Sequence, residues 1–189
     1  MARAVLVLGL LGATLGVALD AWHVASGTTR YAAPWMFGIA TWTIPLFASA
    51  GAIVGVVPVA IERRLGIVVA GVSALRVAAA VALFVIAFLL TGVLRGVACA
   101  AALSVLAIVI YLVGDRPPLG VAMGHAIGAA VGGALVEITL VHAGAFFHTD
   151  ARLFGVAPWL PLLYVCASLG LTPLARACVR SSTAGARAG

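Results

Sequence analysis

Glu137 stands inside an apolar run, Leu119 to Val141, and no other acidic residue in the sequence is placed so awkwardly. A carboxylate in hydrocarbon is costly unless it is neutral, partnered or facing water. Two readings fit it: contact with a lipid headgroup or hydroxyl, or a satisfied hydrogen bond to a neighbouring helix. His125 lies twelve residues earlier on the same run. On a helix that is about 18 Å along the axis and about 120° around it, so the two cannot act as an acid–base pair there. His23, His142 and His148 are expected near one surface and His125 towards the other, at no metal-ligand spacing. Cys99, Cys166 and Cys178 form no C-x-x-C or Cys/His pattern and read as small apolar side chains. The sequence has no G-x-S-x-G, no H-E-x-x-H and no pair of intramembrane aspartates. These residues argue against an enzyme and call for neither cofactor nor metal.

The elements that must position them are membrane helices. With 65% hydrophobic and 8% charged residues, the chain has too few charges to cover a soluble domain. Its net charge of +6 comes from eleven arginines without a lysine. They stand between apolar blocks with no basic run, which excludes nucleic acid and points to flanks facing anionic headgroups. A span needs about 20 apolar residues. Blocks of that order occupy 4–20, 39–61, 71–93, 97–113, 119–141 and 157–176. The first, with Arg3 before it, could be a signal peptide, but it is long for one and no clean A-x-A site follows. Asp115-Arg116-Pro117-Pro118 forces a turn before the fifth. The fold expected is an all-α membrane protein, a bundle of six transmembrane helices forming one domain over 1–178, with a basic disordered tail over 179–189. The segment from Leu65 to Leu75 is expected along the interface, with Arg76 snorkelling to headgroups or else buried for function.

Six spans put both termini on one side. That side collects Arg3, Arg63, Arg64, Arg116, Arg176, Arg180 and Arg187, with Arg76, against Arg30, Arg95 and Arg152 on the other. The positive-inside rule therefore predicts cytoplasmic termini in a bacterial inner membrane. Trp22, Trp35, Trp42 and Trp159 all fall at the opposite ends of their spans, as an aromatic belt would.

In the fifth span Gly120, Gly124, Gly128 and Gly132 recur every four residues. On a helix they make a groove drifting about 40° per step. Tight packing against another helix is the expectation, with a groove for a lipid chain as its competitor. Pro45, Pro58 and Pro173 predict bowed spans.

From about Trp42 to Val179 the sequence resembles the Insig (insulin-induced gene protein) family. The family begins its second span with tryptophan and proline, then a glycine, and ends it I-D-R-H-L-G. Here stand Trp42, Pro45, Gly55 and Ile61-Glu62-Arg63-Arg64-Leu65-Gly66. The family's Asp-Arg pair before a glycine-rich fifth span is matched by Asp115-Arg116 and Gly120 onwards. Its loop from a threonine into S-W-L-P is matched by Thr149 and Pro158-Trp159-Leu160-Pro161. The resemblance implies a six-helix, non-enzymatic sensor of membrane lipids. Eukaryotic members reside in the endoplasmic reticulum, bind oxysterols and hold Scap and HMG-CoA reductase. Arg152 stands where the family has an acidic loop residue, with Asp150 close by, and Ile138 where it has a glutamine, with Glu137 beside it. All-arginine, Ala/Gly/Val-rich usage suits a GC-rich bacterial genome, as in an actinobacterial or mycobacterial homolog, so Scap and HMG-CoA reductase belong to the eukaryotic relatives. The reading is an Insig-like protein binding an acyl lipid such as diacylglycerol, or a sterol-like molecule, in a cavity between helices. The residues expected to touch it are Trp42, Pro45, Gly128, Gly132, Gly133, Glu137, Ile138 and Trp159. A small transporter or permease is the alternative, on the strength of Glu137, His125 and the prolines. An interaction scaffold without ligand is a third, and a homo-oligomer is open in each.

Overall fold

The computed structural model describes residues 1–71 and 73–185. Helix α1 spans Ala2–Ala25 and carries a π-turn over Gly12–Gly16. The expected end at Asp20 is passed because the buried carboxylate is met by a phenol (Tyr31, below), so it does not stop the helix. Gly27, at φ +70°, then turns the chain into strand β1, Thr29–Tyr31. Helix α2, Thr43–Arg64, takes Pro45 in its first turn, where no intrahelical N–H is lost, and Pro58 in its body. It closes with Gly66 at φ +68° and a bond from the Ile67 amide to the Glu62 carbonyl. Helix α3, Ala74–Thr91, is capped by Ser73. Helix α4 is Gly96–Val113 and α5 is Leu119–His142. Strand β2, Phe146–His148, pairs antiparallel with β1, and Thr29 faces His148 in the register. Helix α6, Leu160–Gly185, completes the chain.

Six helices among the described residues are long and apolar enough to cross a membrane. The short ladder closes one end of the bundle, and the start of α1 and the described end of α6 lie at the other. α6 is the hub, touching each of the other five helices. Its buried Leu163 and Cys166 join Leu19, Phe88 and Leu103 in one core cluster, and Leu171 joins Leu8 and Val59 in a second.

Several expectations change in the folded chain. Leu65 to Gly71 is non-helical and α3 begins at Ala74, while Val72 lies outside the described residues. Arg76 reaches across to the end of α4, donating to the carbonyls of Val113 (2.7 Å) and Leu112 (3.1 Å). It therefore satisfies carbonyls that a helix end leaves without partners. The expected tail over 179–189 is helical through Gly185, continuing α6, and 186–189 lies outside the described residues. Arg176 is not a flank residue but is 5% exposed inside the bundle. Its guanidinium donates to both oxygens of Glu62 (2.9 and 2.5 Å) and to Asp115 (2.5 Å), tying α2, the α4–α5 turn and α6 together. Trp159 is core rather than belt, 1% exposed, whereas Trp22 and Trp35 are exposed at the ladder end.

The glycine ridge does not pack. A β-carbon placed on Gly120, Gly124, Gly128 or Gly132 would meet nothing within 4 Å. Close backbone approach occurs instead between α1 and α2. There, a β-carbon on Gly51 would stand 2.6 Å from the Leu8 carbonyl oxygen, and one on Gly12 would overlap the Phe47 carbonyl. α5 consequently lies along α6 and scarcely meets α2.

Candidate binding cavity

The space left between α2 and α5 is the mouth of a cavity of about 550 Å³, walled by α1, α2, α5, α6 and the ladder. Its apolar part comes from side chains such as Leu8, Leu15, Val57, Leu163 and Leu171. Gly124, Gly128 and Gly132 form the α5 side, where the missing side chains leave room. On the facing side Ile53, Val57 and Ile61 of α2 are exposed wall residues, so the cavity opens between the two helices.

At the ladder end the wall turns polar. Asp20 projects from the last turns of α1 and accepts a hydrogen bond from the Tyr31 hydroxyl at 2.6 Å. Tyr31 packs between Trp42 and Phe146, with ring centres 5.4 and 5.7 Å away. Burial first, and the Asp20 carboxylate second, hold the Tyr31 phenol well above its usual range, so it remains a donor. Glu137 accepts from the Tyr164 hydroxyl at 2.8 Å through one oxygen and meets His148 Nε2 at 2.9 Å through the other. Gly133 makes the first contact possible, because a β-carbon there would strike the Tyr164 ring. His23 Nε2 lies 2.6 Å from the Thr91 hydroxyl, with its ring stacked on Phe88. Thr29 Oγ1 and His148 Nδ1 are buried without a hydrogen-bond partner among the described residues. At the far end, His125 lines the cavity with Nδ1 3.4 Å from Glu62, at the edge of the Arg176 cluster.

Of the residues expected at a lipid site, Trp42, Gly128, Gly132, Gly133 and Glu137 stand in this wall. Pro45 does not; it is exposed in the first turn of α2. Ile138 packs into the core, since one position along a helix turns a side chain about 100° away. Trp159 lies behind the wall, its ring edge-on to His148 at 6.3 Å. Asp20, His23, Thr29, Tyr31, His148 and Tyr164 line the cavity without having been singled out as site residues. Asp20 ends an apolar run and His148 sits in a polar loop, both of which read as boundaries. Only the ladder, which folds these boundaries back over the bundle, makes them wall.

No family model matches the chain. It is 36% identical to the INSIG protein homolog of Mycolicibacterium vanbaalenii, over 90% of this chain and 86% of that protein. Its backbone matches the crystal structure of the mycobacterial Insig homolog MvINS from Mycobacterium vanbaalenii with a TM-score of 0.77 and 31% identity, covering 93% of this chain and 94% of that one. A crystal structure of a cross-linked MvINS trimer matches at the same TM-score and coverage with 30% identity. The agreement in sequence and backbone runs through most of both chains, and this chain belongs to the Insig family of multi-pass membrane proteins.

Proposed function

We propose that the chain is a non-enzymatic lipid sensor that holds an acyl lipid such as diacylglycerol in the cavity between α1, α2, α5 and α6. The observation that carries this is the division of the wall into a long apolar part and a compact polar end. Hydrocarbon chains fit the first; a small polar head fits the second. Among the described residues no arginine lines the cavity, and Asp20 and Glu137 both do. Two carboxyls repel a phosphate headgroup, so the wall favours an uncharged lipid, and a sterol-like alcohol is the next candidate by the same chemistry. Trp42, Gly128, Gly132, Gly133 and Glu137 are the contacts assigned to it.

Protein purified in mild detergent and analysed by native mass spectrometry and lipid extraction should carry one neutral lipid per chain. Purified protein without any stoichiometric lipid contradicts the proposal. The arginine asymmetry supports cytoplasmic termini in a bacterial inner membrane, to be checked by reporter fusions at Arg3 and after Arg180. The cross-linked MvINS trimer supports self-association of this chain as well.

A further inference from the structure

We infer that Thr29 and His148 form a seat for a lipid hydroxyl, so that a neutral lipid with a free alcohol lies with that group at the ladder end and its hydrocarbon towards Leu8 and Leu171. This rests on the lipid-cavity reading above. Both residues line the cavity, and they are only 2% and 6% exposed. Each nevertheless leaves a buried polar atom, Thr29 Oγ1 and His148 Nδ1, without a partner among the described residues. Buried atoms of this kind are uncommon in folded proteins and call for a ligand or water. The two residues are opposed in the β1–β2 register. That places their side chains on one face of the ladder with β-carbons about 4.5–5.5 Å apart, close enough for one oxygen to reach both.

The chemistry of the pair selects the group. Glu137 as a carboxylate only accepts, so the His148 nitrogen facing it, Nε2, carries a proton. A neutral ring then presents Nδ1 as an acceptor. The Thr29 hydroxyl can rotate to donate. The matching group donates to Nδ1 and accepts from Oγ1 through a single atom. A hydroxyl does both, whereas an ester carbonyl or a phosphate oxygen only accepts. The far end of the cavity makes no such demand, because His125 is paired with Glu62, which is itself held by Arg176.

The test offers the protein, in mild detergent, equal amounts of 1,2-dioleoylglycerol and its 3-O-methyl ether and reads uptake by native mass spectrometry. The wild type should prefer the free alcohol by about five- to tenfold, the range one neutral hydrogen bond commands. Thr29→Val should lower uptake of both lipids by a similar factor, since alcohol and ether oxygens alike accept from Oγ1. It should keep the preference, which rests on donation to His148 Nδ1, while Tm stays at or above the wild-type value because the hydroxyl removed has no partner in the fold. Thr29→Ser should restore the uptake. Ser168→Ala removes another buried, unpartnered hydroxyl outside this cavity wall and should leave both uptake and preference intact. Equal uptake of both lipids by the wild type, or uptake of both undiminished by Thr29→Val, overturns the seat and leaves the lipid cavity standing. Uptake of neither lipid overturns both.

Discussion

Arg176 holds two carboxylates at once, and its removal would leave Glu62 and Asp115 buried without the guanidinium that joins them. Breaking such a cluster from one side costs about 3–5 kcal/mol, so Arg176→Met should lower thermal stability sharply in detergent. Arg176→Lys should recover only part of the loss, since an ammonium lacks the planar fork that serves both partners. Tyr31→Phe strips a 4%-exposed Asp20 of its donor, and leaving a buried polar group unsatisfied costs roughly 1–3 kcal/mol. Chemical denaturation of the two proteins should show that difference. At this scale the sequence is least legible. Glu137 announces itself because it interrupts an apolar run. Glu62, Asp115 and Arg176 sit at the ends of theirs, where charge is ordinary, and only the crossing of α2 and α6 shows that they meet.

Glycine has two opposite uses in these helices. At Gly51 it admits the backbone of α1, with the Leu8 carbonyl 2.6 Å from where a β-carbon would be. At Gly128 it keeps a wall bare, with nothing within 4 Å. Gly51→Leu should therefore abolish the folded protein, seen as aggregation on size-exclusion chromatography. Gly128→Leu and Gly132→Leu should elute as the wild type and retain less lipid, because their side chains fill the cavity. A lipid content unchanged by both would remove α5 from the site. The helices themselves are legible, since the apolar runs broken at Glu62-Arg63-Arg64 and Asp115-Arg116-Pro117-Pro118 mark the ends of α2 and α4, while Asp20 lies within α1. What a glycine faces is not legible. A spacing of four reports that side chains are missing along a stripe and says nothing of whether a backbone or a void lies opposite. The ladder is invisible for a related reason: three residues on each side carry no periodicity to detect.

At the scale of the molecule, the five helices around α6 leave a gap between α2 and α5, facing the surroundings of the bundle. If copies of the chain associate as the MvINS trimer does, native mass spectrometry of the intact protein in mild detergent should show a multiple of the 19.0 kDa chain. A strictly monomeric spectrum at high protein concentration would count against it. The position of the gap also fixes how the cavity meets its supply. Its sides are Ile53, Val57 and Ile61 across from bare glycines, a doorway that opens on hydrocarbon rather than water. On the proposed function, a lipid passing it never dissolves in the aqueous phase, so the quantity that governs filling is its mole fraction in the bilayer. Doubling vesicles and protein together leaves occupancy unchanged, whereas diluting the ligand with other lipid, at constant total, empties the site.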